Sequence, residues 1–154
     1  MTEALHINVL YVDDETHNLE SFRASFRRHF TVFTAQSAKE AEQVLAKEEI
    51  HVIITDQKMP VTTGAQLLEK AIEKNPDQSR IILSAYTDNE AVINAFQKGL
   101  IHRFILKPYN QEELISIILT GYETYNLKKI KNKLYQDWLE TQKQIELLKK
   151  IDKD

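Results

Sequence analysis

Five polar side chains sit where short apolar runs end, and their types suit one chemistry. Asp13 and Asp14 follow the run ending at Val12, and Asp56 follows the run ending at Thr55. Ser84 closes a fourth run, and Lys107 closes a fifth, just before Pro108. If the runs are neighbouring strands, all five groups meet on one rim. Three carboxylates in one cleft repel one another and invite a divalent cation. An all-oxygen ligand set favours Mg2+, which takes about six ligands near 2.1 Å, some of them waters. Lys107 adds a point positive charge. A carboxylate facing a metal ion and a lysine is placed to attack phosphorus, because the two cations neutralise the transferring oxygens. Ser84 offers a hydroxyl to one of those oxygens. Asp56 is central among the five in strand order and is therefore the expected nucleophile. Each fragment alone has a plainer meaning: Asp-Asp after a strand commonly caps a helix, and Lys-Pro commonly ends a strand. The conjunction on one rim argues for chemistry.

The elements that must position these groups are legible as two periodicities. Five β-branched runs, residues 7–12, 31–35, 51–55, 80–84 and 103–106, predict strands. The first, third and fourth are almost continuously apolar, as in a parallel sheet covered on both faces. The second, TVFTA, alternates as an edge strand does. Between them lie stripes at helical spacing: Leu19, Phe22, Phe26; Ala38, Ala41, Val44, Leu45; Leu67, Leu68, Ala71, Ile72; Ala91, Val92, Ala95, Phe96; and Leu114, Ile117, Ile118. Capping-box patterns open three of these, at Ser37…Glu40, Thr87…Glu90 and Asn110…Glu113. Asn75-Pro76 is expected to end the third helix and Gly99 the fourth. Gly64 is expected either to take a positive φ or to precede the third helix closely. Strict alternation of strand and helix implies right-handed crossovers. The predicted fold is α/β: a flavodoxin-like, doubly wound five-stranded parallel sheet of order 2-1-3-4-5, with its site at the carboxyl ends of the strands.

The chain has 154 residues, 42% hydrophobic and 28% charged, with net charge −3 and no cysteine. That size suits one domain with an appendage. The absence of cysteine excludes disulfides, thiolate catalysis and cysteine-based zinc sites. Nothing in the charge balance points to nucleic acid, and no apolar run approaches a membrane span. A cytoplasmic location fits these features. After Tyr125, the residues Leu127, Ile130, Leu134, Trp138, Thr141, Ile145 and Leu148 recur every three or four positions, with one spacing out of step at Trp138. The expected division is a domain over residues 1–125 and a helical extension over 126–154. That extension reads either as a coiled coil or as a linker to an output domain. His17 and His51 lack partners at metal-ligand spacing and His102 sits beside a basic loop, so surface or structural roles are expected.

The segments VLYVDDE (9–15), IITDQKMPVTTG (53–64), IILSAY (81–86) and RFILKPY (103–109) resemble the receiver domain of response regulators in two-component signalling. The resemblance spans about residues 8–122. It implies that Asp56 accepts a phosphoryl group from a histidine kinase or phosphotransfer protein. It also implies Mg2+ held by Asp14, Asp56 and the backbone carbonyl of Lys58, with Asp13 acting mainly through water. Ser84 and Lys107 would hold phosphoryl oxygens. Ser84 and Phe104 would form the switch, Phe104 turning inward, so that the face of the fourth helix, fifth strand and fifth helix changes partners. Lys58 and Tyr86, beside the site, would tune the lifetime of the phosphorylated form. A homodimer would form through that face or the C-terminal helix. Two alternatives stand beside this function. One is a module of a larger output enzyme, such as an HD-type cyclic-dinucleotide phosphodiesterase. The other is a phosphohydrolase with an aspartyl-phosphate intermediate, disfavoured because such enzymes carry an Asp-x-Asp nucleophile on the first strand. A flavin module is disfavoured by three acids, Asp13, Asp14 and Glu15, where a phosphate would sit.

Overall fold

The computed structural model describes residues 6–85 and 89–152. In chain order the elements are β1 (Asn8–Val12), α1 (Thr16–Phe26), β2 (Thr31–Ala35), α2 (Ala38–Lys47), β3 (Val52–Asp56), α3 (Gly64–Lys74), β4 (Ser79–Ser84), α4 (Asn89–Gln97), β5 (Arg103–Leu106) and α5 (Gln111–Asp152). The strands form one parallel sheet of order β2-β1-β3-β4-β5, as the alternation of elements predicts. β2 is an edge strand, with Thr31 exposed, Phe33 and Thr34 half-buried and Val32 and Ala35 buried, so the alternation expected of it is only partial.

The period-2 alternation of β1 divides its side chains between two cores. Val9 and Tyr11 join Phe22, Phe26, Leu114, Ile117 and Ile118 under α1 and α5. Leu10 and Val12 join Ala41, Leu67, Leu68, Val92 and Ala95 under α2, α3 and α4. Strand register then fixes the rim. Val12 is level with Thr55, so Asp13 comes level with Asp56. Asp56 pairs with Leu83, and Ser84 with Leu106.

Local signals largely behave as expected, and the departures concern capping. Ser37 caps α2 by accepting from the Glu40 amide, but the Glu40 carboxylate accepts from the Gln36 amide instead of closing a reciprocal box. The complete capping box lies at α3, where Thr63 and Gln66 satisfy each other's backbone amides. Gly64 takes no positive φ. It opens α3 so close to β3 that a Cβ would lie 2.4 Å from the Asp56 carbonyl oxygen. The positive φ falls on exposed Val61 instead, at 71°. Gly99 adopts φ 76° just after α4, and Asn75 caps the end of α3. The Thr87…Glu90 signal lies outside the described residues.

The amino rim of the sheet is held by two histidines, one preceding β3 and one preceding β5. Nδ1 of His51 accepts from the Asn8 amide, and Nδ1 of His102 from the Arg80 amide, each at 2.9 Å. Burial, with Arg80 and Lys128 nearby, pulls His102 down to about 4. Burial also lowers His51, with Glu49 opposing it and Lys129 assisting. Arg80 is buried with no carboxylate partner among the described residues; its guanidinium donates to the carbonyls of Leu100 and Gln78 at 2.8 and 3.0 Å.

α5 crosses this rim and continues. Gly121 lets it approach β4, where a Cβ would lie 2.6 Å from Ser79 Oγ. Tyr125 donates to Glu49 at 2.8 Å and is the last buried residue along the helix. Lys128 Nζ lies 3.3 Å from His102 Nε2, and Asn132 donates to Asp77 at 3.2 Å. Beyond that point the helix runs on with its apolar side chains exposed, except half-buried Leu139.

Candidate functional site

At the carboxyl rim, Asp13, Asp14 and Asp56 each offer an oxygen within 4.8 Å of the others. Asp13 is fully buried, Asp56 is 14% exposed and Asp14 is exposed. Lys107 Nζ lies 3.3 Å from Asp56 Oδ1 and 3.5 Å from Asp13 Oδ2, bridging β1 and β3. The amide of Lys107 donates to the Ser84 carbonyl at 3.0 Å, which ties the end of β5 to that of β4. Four of the five predicted side chains therefore meet around one cleft.

The electrostatics are those of a charge cluster without enough cations. Desolvation by burial raises the Asp56 carboxyl above its ordinary range; Lys107 opposes this and Asp13 adds to it. The donor set consists of hard oxygens, some exposed and mutually repelling, and fits a small divalent cation held by Asp13, Asp14 and Asp56. Neither sulfur nor imidazole belongs to the group.

Asp13 is held by more groups than sequence reasoning found. Its Oδ2 accepts from Tyr11 Oη at 2.7 Å and from Asn18 Nδ2 at 3.1 Å, besides lying near Lys107. Its Oδ1 accepts from the Glu15 amide at 3.0 Å. Burial and the bond to Asp13 push the Tyr11 hydroxyl far above its ordinary range, so it remains a donor. The signal for Tyr11 was present: residues i and i+2 of a strand share a face. It was masked because a tyrosine in an apolar run reads as core. Tyr11 does stack on Phe22, with ring centroids 4.2 Å apart.

Ser84 is buried, and its hydroxyl donates to the Ala85 carbonyl at 3.0 Å rather than facing the acids. Phe104 is 44% exposed and meets Phe96 edge-on at 6.3 Å, so it is not a core aromatic here. With Ile93, Leu106 and Leu119 these two rings leave the α4, β5 and α5 side partly apolar and exposed. Lys58 is exposed in the loop after β3. Tyr86 lies outside the described residues.

Residues 9–119 match the family described as response regulator receiver domain. The hydrogenase transcriptional regulatory protein HoxA of Cupriavidus necator is 37% identical over 120 residues, which cover 78% of this chain and 25% of that protein. The chain thus spans about a quarter of the length of this relative. Among solved structures, a chain described as adenylate cyclase from Rhodopirellula baltica superposes with a TM-score of 0.82 at 27% identity, covering 86% of this chain and 98% of its own. The signal receiver domain of an HD domain-containing protein from Pseudomonas fluorescens superposes with a TM-score of 0.76 at 25% identity, covering 84% and 96%. No helix among the described residues is long and apolar enough to cross a membrane. A family match running almost from the first strand into the fifth helix, over the sheet order and acidic rim already described, makes this chain a member of the response regulator receiver family.

Proposed function

We propose that this receiver is a phosphorylation switch whose acceptor is Asp56. The observation that carries the reading is the placement of Lys107 Nζ 3.3 Å from Asp56 Oδ1 and 3.5 Å from Asp13 Oδ2, beside a third carboxylate. An oxygen of Asp56 attacks the phosphorus of a phosphohistidine on a kinase or phosphotransfer protein. The P–N bond breaks, and the electron pair leaves on the imidazole. Lys107 sits where negative charge collects on the transferring oxygens and meets it with a fixed ammonium. Asp14, Asp56 and the backbone carbonyl of Lys58 would hold Mg2+, with Asp13 reaching it mainly through water. The bound ion would neutralise phosphoryl charge.

Ser84 and Phe104 form the switch in this proposal. The Ser84 hydroxyl donates to the Ala85 carbonyl and must leave it before it can donate to a phosphoryl oxygen. Phe104 starts from an outward position. New charge-assisted hydrogen bonds bias a two-state equilibrium, and the α4–β5–α5 face changes its partners. Lys58 and Tyr86 screen the acyl phosphate from water and lengthen its lifetime.

Acetyl phosphate with Mg2+, followed over time by intact mass, tests these assignments. One phosphoryl group is expected on the chain and none on Asp56→Asn. Incorporation that survives this substitution overturns the acceptor. Decay at an unchanged rate in both Lys58→Ala and Tyr86→Ala overturns the lifetime roles. Sustained turnover of phosphate esters would favour a phosphohydrolase instead.

A second reading concerns the whole protein, in which the domain governs a larger output. Likeness to a receiver from an HD domain-containing protein supports an enzymatic output, and likeness to HoxA supports a transcriptional one. The domain's own part is the same in both.

A further inference from the structure

The part of α5 beyond Tyr125 has no core to cover, yet it is built as one side of a helical seam. Leu127, Ile130, Leu134, Trp138 and Leu148 are each more than half exposed, and Ile145 is 39% exposed. They lie at successive spacings of three and four, with Thr141 completing the row. Such a stripe is satisfied by another helix with the same repeat. We propose that this segment pairs antiparallel with the same segment of a second copy of this chain. The inference goes beyond the phosphorylation reading and does not depend on it.

Two observations select a second copy and its direction. The first is the spacing. Read forward from Leu127, the steps are 3, 4 and 4 to Trp138; read backward from Leu148, they are 3, 4 and 3 to the same residue. Reversed copies therefore match layer for layer: Leu127 against Leu148, Ile130 against Ile145 and Leu134 against Thr141. The one out-of-step spacing falls on the two-fold axis, where the two Trp138 rings lie side by side. Parallel helices in register would instead place Thr141 against Thr141 in the seam.

The second observation is charge. Residues 127–136 carry Lys128, Lys129, Lys131 and Lys133 and no acid, while residues 137–152 are mixed, with Asp137, Glu140, Glu146 and Asp152 against Lys143, Lys149 and Lys150. Those four lysines span about 8 Å of helix at 1.5 Å per residue. Parallel pairing would set two such blocks side by side, which like-charge repulsion disfavours. Antiparallel pairing sets each block against residues 142–147 of the second copy, where Lys143 and Glu146 cancel, with Lys129 level with Glu146, so the two lysine blocks are kept apart.

The chain has no cysteine, so a single introduced one is a clean reporter. Sedimentation of the full chain is expected to give a dimer of twice 18.0 kDa. Leu134→Asp, at a 63% exposed position, should make it monomeric without changing receiver circular dichroism. A nitroxide on Lys149→Cys should show a distance of about 35 Å across the dimer, from 1.5 Å rise per residue on either side of the axis. Parallel helices, about 10 Å apart axis to axis, would give a far shorter one. A monomer at 100-micromolar concentrations (about 0.1 mM, a range in which weak pairs with Kd near 10 μM still associate), a short label distance, or a dimer indifferent to Leu134→Asp each overturns the proposal.

Discussion

The two rims of the sheet are made from the same strands and solve opposite problems. At the carboxyl rim, Asp13 and Asp56 share one ammonium, and burial raises Asp56 against its own ionisation. At the amino rim, His51 and His102 carry their lone pairs to backbone amides, and burial keeps both imidazoles neutral. Arg80, the buried cation there, spreads its charge over carbonyl oxygens. One end stores repulsion that a ligand can relieve; the other meets nearly all its polar needs within the protein, with Gln78 Oε1 the buried exception among the described residues. Acid acts on them in opposite senses. Protonation relieves Asp56 but breaks the lone-pair bonds of the histidines. In an α/β domain of this kind, reactivity and anchorage can be assigned to opposite ends of each strand.

The contrast can be broken at three points. The largest effect is expected at Gly64, where a methyl group would meet the backbone carbonyl of Asp56 at 2.4 Å. Gly64→Ala should cost about 3 kcal/mol of unfolding free energy in urea, since overpacking against a fixed backbone has no soft escape. A cost near zero would mean that the carboxyl rim is far looser than the contrast requires.

Next is the pH response of the amino rim. His102 is lowered to about 4 from an ordinary value near 6.5. Its neutral form is favoured in the fold, so its contribution is complete above about pH 6.5 and is lost as pH falls through that value toward 4. The loss should be about 2 kcal/mol, allowing for partial solvent screening. His102→Asn should flatten denaturation midpoints over this window while phosphoryl acceptance persists. An unchanged pH profile would remove His102 from the anchorage.

The smallest effect is expected at Tyr11→Phe. The Tyr11 hydroxyl bonds a buried carboxylate, but Asn18 and Lys107 still serve the same oxygen. A loss of about 1 kcal/mol is therefore expected, below the usual range for bonds to charged groups. Calorimetric titration should show tighter Mg2+ binding, because Asp13 regains charge density. Weaker binding would show that the phenol shapes the cleft rather than tempering its charge.

The sequence carried the frame of this comparison but only half of its content. Apolar runs and their order gave the sheet, and strand-end chemistry located Asp13, Asp14, Asp56 and Lys107. Ser84 was placed at the right strand end, yet its hydroxyl direction depends on a rotamer that no spacing encodes. The histidines were assigned only a default structural role. Their actual work is cross-strand: His51 serves β1 and His102 serves β4, which becomes visible only once register is known. Gly121 lies in a run with helical spacing and carries no sequence signal of its role, which is close packing against Ser79. The Thr63–Gln66 box uses a glutamine three residues after its cap, directly behind a loop, and shows itself only once Gly64 is known to open α3.

Trp138 is the chain's sole tryptophan, and it sits on the exposed stretch of α5, stacked on Tyr135. Intrinsic indole emission is consequently a spectroscopic window on the extension and is nearly blind to the acidic cleft. A colour shift on dilution would report the helix losing its neighbour, whereas chemistry at Asp56 would need an extrinsic dye to be seen by light.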